Sequence, residues 1–415
     1  MKREDYDIIL FTLFRTDHEY SSVSLSWAKE FAKNNRVFYI NHPYSFRDFA
    51  EGLGKNKKIR ERASQLLTKQ IAYETIKDIP ENFVSVQPTL TLPINWLSPG
   101  GTYDSFSKIN NKVVLRAIKK VIKDYGIKKY IFLNCYDPYF AGHVPKSLNP
   151  TLSVYQCIDD ISQDPYSVKH GQKLEEEAIA NSDFAMVTGT QLKRILVKHN
   201  PNTHVVHNAV DISIFEKTLV TDFERPEEIR HVKTKIIGFT GNMDYLRMDY
   251  PLIKKVAEAN TDKTVVLVGP INSNEFYELG IDKLPNVITT GSKKIYELPN
   301  YLKFMDVVMI PFLCNTLTAS IYPLKINEYL AAGRSVVSTT FSEDIRGFRD
   351  VIYLADSHHE YLKLLDRALE ENSPELEQKR FNVAQENTWA ARVEQFWGIA
   401  EKHLAKAEKD KNVEV

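Results

Sequence analysis

Short apolar, β-branched runs alternate with helical stretches along the whole chain, and they do so in two series. YDIILFTLF, RVFYINH, KYIFLNCY, LSVYQCI, FAMVTG and HVVHNA make the first; KIIGFTG, KTVVLVG, NVITTG, VVMIPF, SVVST and DVIYLA make the second. Segments with helical spacing around 22–34, 109–125 and 171–181 separate members of the first series. Runs too short and too continuously apolar to face water on one side, with helices between them, predict parallel sheets covered on both faces. Residues 211–234 interrupt the pattern with charges, a proline and no sustained period, as an interdomain connection would. The expected organisation is α/β: a Rossmann-like domain over 1–210, a linker over 211–234, a second Rossmann-like domain over 235–385 and a terminal helical segment over 386–415.

At 415 residues, with 43% hydrophobic and 26% charged residues, the chain has enough apolar material for two such cores in a soluble protein. The first apolar run is short and flanked by mixed charge, which argues against a signal peptide or a membrane span. Cys135, Cys157 and Cys314 have no paired spacing, so neither a disulfide framework nor a zinc site is expected, and a reducing, cytoplasmic setting is. The zero net charge hides an asymmetry: residues 1–210 hold 28 basic against 22 acidic residues, and the remainder holds 26 against 32. Much of the excess lies in GKNKKIRER and in KINNKVVLRAIKKVIKDYGIKK, where Ile109, Val113, Ile118, Val121, Ile122 and Tyr125 recur at helical spacing beneath the lysines. A solvated surface helix explains that pattern; attraction to an anionic membrane surface is the functional alternative. No nucleic-acid motif accompanies the charge.

In open α/β sheets ligands bind beyond the carboxyl ends of the strands. In the second half those ends carry Gly241 and Asn242, Gly269, Gly291, the loop after Pro311, and IYPLKINEYLAAGRSVVST. In the last stretch Pro323 opens a helix expected to run to Ala332, Gly333 closes it in the left-handed region, and Val336–Thr339 reads as a strand. Lys325 and Glu328 share one face of that helix, while Ile326 and Leu330 point to a core. The pair could be a solvated i,i+3 contact worth a few tenths of a kcal/mol. Alternatively, a lysine in a first turn, where the helix dipole alone disfavours it, makes sense with an anion between the ammonium and the free N–H groups. In the first half the strand ends carry Asp17 and His18, Asp137, and the adjacent Asp159 and Asp160. Those last two are explained as well by turn or helix capping as by catalysis.

With these pieces in place, VVHNAVD, IIGFTGN, NVITTGSKKIYELPNYLKFMDVVMIPF and YPLKINEYLAAGRSVVST together resemble GT-B-fold glycosyltransferases, in particular the bacterial group similar to family-four and teichuronic-acid-type transferases. The resemblance covers nearly the whole chain. It implies two Rossmann-like domains with a cleft between them and a terminal helix returning to the first. It also implies transfer of a sugar from a nucleotide-sugar, a UDP-sugar, to a saccharide or lipid-linked acceptor in cell-surface glycan synthesis, with retention of configuration. By the same resemblance Lys325 contacts the diphosphate and Glu328 the ribose hydroxyls. Gly241, Asn242, Arg247, Tyr296, Asn315, Thr318, Ser320, Pro323 and Leu324 complete the donor side. Asp17, His18 and Asp137 fall on the acceptor side, and Asp159 or Asp160 is a candidate base.

Two departures from the family pattern stand out. The first acid of its glutamate-seven-residues-glutamate element is Ser320 here, and Asn315, Thr318 and Ser320 would have to supply neutral hydrogen bonds to the sugar. The Arg and Lys expected after the first strand of the second domain are represented by Arg247 alone, with Met248 at the lysine position. No Asp-x-Asp metal signature appears where GT-A enzymes would need it, so no obligatory divalent ion or other cofactor is expected. A dinucleotide oxidoreductase is disfavoured by the absence of Gly-x-Gly-x-x-Gly after either first strand. A GT-B-type epimerase or a non-catalytic sugar-nucleotide-binding protein would use the same second-half residues.

Overall fold

The structure, a computed structural model, describes residues 2–16, 22–68, 70–77, 79–141, 148–164 and 167–413. The chain divides into two compact units: unit 1 holds the residues up to Thr188, Leu192–Val206 and everything from Val393 on; unit 2 holds Gly189–Gln191 and His207–Arg392.

Unit 1 is built on β1 (Asp7–Thr12), β2 (Val37–Ile40), β3 (Ala72–Glu74), β4 (Phe83–Gln87), β5 (Tyr130–Cys135), β6 (Leu152–Cys157), β7 (Phe184–Val187) and β8 (Thr203–Val205), in spatial order β3-β4-β2-β1-β5-β6-β7-β8. All neighbours pair in parallel except β3 with β4. Every residue of β1, β2, β5, β6 and β7 is buried, as central strands between two helical layers must be. The helix Val23–Phe31 starts where the Ser22 side chain accepts from the Leu25 N–H, and its Phe31 ring meets Phe396 edge-on at 5.0 Å. Phe396 lies on the long Trp389–Val413 helix, which Arg3 also anchors through Glu394 and Glu401, both at 2.7 Å. The basic helix begins earlier than its pattern indicates, at Gly101, and ends at Asp124; Val114 and Ala117 enter its core face, Val113 is only half-buried, and Ile109 is 48% exposed.

Unit 2 contains β9 (Ile236–Thr240), β10 (Met243–Asp244), β11 (Thr264–Val268), β12 (Ile271–Asn272), β13 (Val287–Thr289), β14 (Val307–Ile310), β15 (Ser335–Thr339) and β16 (Tyr353–Ala355). Its main sheet is parallel, in the order β13-β11-β9-β14-β15-β16, with β10 and β12 forming a separate small pair.

The segment 211–234, expected as a connection, is part of unit 2. It forms the short helices Ile212–Phe215 and Lys217–Val220, and Phe215, Ile229 and Val232 are buried in that unit's core. Three widely spaced apolar anchors suffice to dock it, although no period runs through it.

In both sheets the strand order reverses at one point. From β1 the chain goes to β2 on one side and returns to β5 on the other; from β9 it goes to β11 and returns to β14. At such a reversal the loops leave in opposite directions and open a crevice at the carboxyl ends of the strands.

Candidate functional site

In unit 2 the crevice is formed by the loop after β9, the loop after β14, and the helix Leu324–Ala331 that follows. Gly241 comes directly after β9 with φ +138°, and its N–H donates to Val268 O at 2.8 Å. A Cβ added at Gly241 would lie 2.6 Å from Lys325 Cε, so the lysine stem runs directly against this glycine. Gly269 after β11 has φ +142°, and a Cβ there would fall 1.9 Å from Gly241 O. Two glycines therefore bring the loops together and leave the Gly241 backbone beside the lysine.

The helix itself runs from Leu324, with Pro323 in extended conformation before it (ψ 128°) and no side chain capping its first amides. Gly333 has φ +70°, the left-handed conformation expected past the helix end. Ile326, Asn327, Tyr329 and Leu330 are fully buried, and the Tyr329 hydroxyl accepts from Thr240 N at 2.9 Å, tying the helix to the end of β9. Lys325 Nζ donates to Glu328 Oε2 at 2.7 Å, with the two side chains 22% and 8% exposed. That burial separates them from an ordinary solvated i,i+3 pair: a nearly covered carboxylate depends on its partner far more than an exposed one does. Among the described residues, Glu328 Oε1 accepts no hydrogen bond.

The remaining second-half candidates fall into two groups. Arg247 is partly exposed, its Nε 3.6 Å from Asp244 Oδ2 and, among the described residues, without a hydrogen-bond partner, while its carbonyl accepts from Leu313 N of the loop after β14. Asn242 is exposed and accepts from Asn272 Nδ2 at 2.8 Å. Tyr296 is 61% exposed on the turn Ile295–Glu297, with Lys294 over its ring. The side chains of Asn315 and Thr318 are engaged in local structure, and that of Ser320 is not. Asn315 and Thr318 cap one another at the start of the short helix Thr316–Ala319, and the buried Thr318 hydroxyl donates to Leu313 O. Ser320 is fully buried, and among the described residues its hydroxyl has no partner. Met248, at the position of the family's lysine, is wholly inside the core and contributes no charge.

In unit 1, Asp137 follows β5 and is completely buried. Its Oδ1 accepts from Tyr139 N at 3.1 Å, its Oδ2 lies 2.6 Å from His42 Nδ1, and its main chain exchanges hydrogen bonds with the Asn134 side chain. His42 follows β2 and was not among the residues expected from sequence, although the strand-end rule that selects Asp137 selects it too. Asp160 caps the short helix Ile161–Gln163, accepting from Ser162 N at 3.1 Å and Ser162 Oγ at 2.6 Å, which is the capping alternative. Asp159 is half-buried, and its charge adds to the burial that pushes the Tyr136 hydroxyl well up. Behind them Glu175, on the helix Gly171–Ala180, is 3% exposed and accepts from the Tyr155 hydroxyl at 3.0 Å; burial pushes its carboxyl up to about 8. Asp17 and His18 lie outside the described residues.

Residues 234–370 match the family model described as Glycosyl transferases group 1. The chain is similar over 95% of its length to a UDP-forming α,α-trehalose-phosphate synthase from Burkholderia vietnamiensis, covering 98% of that chain with a TM-score of 0.68 at 9% identity. The fold is GT-B. A second GT-B relative in structure, Anabaena HepE in complex with UDP, is matched over 95% of this chain and all of that one, with a TM-score of 0.62 at 12% identity. In sequence, 208 residues are 26% identical to the putative teichuronic acid biosynthesis glycosyltransferase TuaH of Bacillus subtilis, over 48% of this chain and about half the length of that relative. Among the described residues of this GT-B chain, no helix is long and apolar enough to cross a membrane.

Proposed function

We propose that the chain transfers a glycosyl group from a UDP-sugar, bound by unit 2, to a saccharide or lipid-linked acceptor bound by unit 1, with retention of configuration and no need for a divalent ion. The observation that carries this reading is the Lys325–Glu328 pair in the first turns of an uncapped helix, laid against Gly241 at the reversal point of the second sheet. Breaking the bond to the leaving diphosphate builds negative charge on its oxygens. Helix N–H groups and an ammonium fixed beside that position favour the transition state over the ground state. Glu328 accepts only, and its Oε1 is unengaged, which suits a ribose hydroxyl. The UDP bound to HepE and the UDP-forming activity named for the trehalose-phosphate synthase support the choice of nucleotide. The TuaH similarity supports a cell-surface polysaccharide as the product.

The exposed apolar side chains Phe46, Leu53 and Leu67 lie in a stretch where Arg47, Lys55, Lys57, Lys58 and Arg60 outnumber Asp48, Glu51 and Glu61, and this net positive surface supports attachment of unit 1 to the anionic cytoplasmic face of a membrane. The decisive experiment is incubation with a panel of UDP-sugars and glycoside acceptors in the presence of EDTA, following UDP release and the anomeric configuration of the product by NMR. UDP release with a glycoside of the donor's configuration is the expected result. Tight binding of UDP-sugars with no turnover would make the chain a binding protein, and an altered free nucleotide-sugar would make it an epimerase.

A further inference from the structure

Unit 1 has a reversal point of its own, between β1 and β5, and one side-chain pair reaches across it. His42 comes from the end of β2 and Asp137 from the end of β5, so their 2.6 Å contact passes over the end of β1, where a ligand of an α/β sheet sits. Several features fix the imidazole. Asp137 is wholly buried, and its other oxygen is taken by Tyr139 N. The His42 ring packs edge-on against Phe140 with centroids 5.0 Å apart. A carboxylate only accepts, so the shared proton sits on Nδ1, and in the neutral ring the lone pair of Nε2 faces away from Asp137. Among the described residues Nε2 has no hydrogen-bond partner, and the side chain is 23% exposed. A pair that merely tied two loops together would need Nδ1 alone. This one leaves a second ring nitrogen, unused among the described residues, at the carboxyl ends of the strands.

We infer that His42 receives a hydroxyl of the sugar acceptor, with Nε2 accepting its hydrogen bond, and that Asp137 is a positioning residue that holds the required tautomer. The inference rests on the glycosyl-transfer reading and adds to it the residue that recognises the nucleophilic partner. His42 orients the hydroxyl without taking its proton, so no base opposite the leaving group is invoked.

The test uses the full chain labelled with ¹⁵N and saturated with UDP, observed by long-range ¹H–¹⁵N correlation of its histidines, with His42 assigned by its loss in His42→Gln. His42 is expected in the Nδ1-protonated form, and its Nε2 resonance should move on titration with at least one of a panel of methyl hexopyranosides. In Asp137→Asn one carbonyl oxygen must serve two donors. If it stays with Tyr139 N, the amide NH₂ faces the ring and pushes His42 toward the Nε2-protonated form. The bound hydroxyl must then turn from donor to acceptor at Nε2, and glycoside affinity should fall, at most about tenfold, the loss of one hydrogen bond, while UDP affinity measured by calorimetry is unchanged. His42→Gln, which keeps an acceptor near the Nε2 position, should retain more affinity than His42→Ala. An Nε2-protonated His42 in the wild type, or a resonance unmoved by every glycoside while UDP binds, overturns the inference. Failure of UDP to bind overturns the donor reading instead, and the tautomer and glycoside shifts still decide the role of His42.

Discussion

Gly241→Ala isolates the contact on which the proposed donor site depends. The substitution does two separable things. It places an L-residue at φ +138°, a strain of roughly 1–3 kcal/mol that appears as lost stability. It also sets a methyl group 2.6 Å from Lys325 Cε, so the lysine stem must swing away and its ammonium leaves Glu328 Oε2. If that ammonium holds the diphosphate, binding loses a hydrogen bond between charged groups, about 1.5–3 kcal/mol, or roughly 10- to 150-fold in Kd. Urea unfolding reads the first effect and calorimetric titration with UDP the second. A double-mutant cycle separates them further. In Lys325→Ala the atoms that the new methyl meets are gone, so adding Gly241→Ala should weaken UDP no further while still lowering stability. Equal and additive losses of UDP affinity in both backgrounds would show that Gly241 serves the loop backbone alone and would refute the proposed placement of Lys325.

Other outcomes follow from the same geometry. Lys325→Ala should lower kcat about 10²- to 10³-fold, as removal of one preorganised donor does, with a smaller change in donor KM; Lys325→Arg should recover only part of it, and a pure KM effect would move the leaving-group role to the helix amides or Arg247. Glu175, with its carboxyl held up at about 8, binds a proton in the folded chain that the unfolded chain releases above the ordinary glutamate range. Its contribution to stability is therefore full at acid pH and lost as pH rises through about 8. Glu175→Gln should remove that decline, giving a flatter profile of unfolding free energy in urea titrations from pH 5 to 9. Co-sedimentation with anionic vesicles should fall steeply with salt, since exposed charges are screened within about 8 Å at physiological ionic strength, whereas equal recovery on neutral vesicles would discard membrane attachment.

The fold was legible where burial forced a simple pattern. Central strands such as those at Ile8–Phe11 and Val336–Val337 are covered on both faces, and continuous apolar runs announce them. The strands Ala72–Glu74 and Phe83–Gln87 escaped because they lie toward one edge of the sheet and carry polar residues such as Ser85 and Gln87. The segment 211–234 escaped because Phe215, Ile229 and Val232 dock it without any repeat. Lys325 and Glu328 were legible as candidates because helix signals and strand-end position converge on them, and the structure pairs their side chains. Sequence could not show that Thr318 would spend its hydroxyl on Asn315 N and Leu313 O, or that His42 and Asp137, 95 positions apart, would meet across β1. Pairings of that kind depend on strand order, which the apolar pattern does not encode.

The central claim is that unit 2 recognises a nucleoside diphosphate through Lys325 and Glu328. Calorimetric titration of the full chain with UDP, UMP and uridine, repeated on Glu328→Ala, tests it most directly. The account predicts that UDP binds well above UMP, because the second phosphate reaches the lysine and the helix amides. It also predicts that Glu328→Ala weakens all three ligands by roughly 1–3 kcal/mol, because each carries the ribose. Equal affinity for UDP and UMP, or a Glu328→Ala protein that binds as the wild type does, would contradict it.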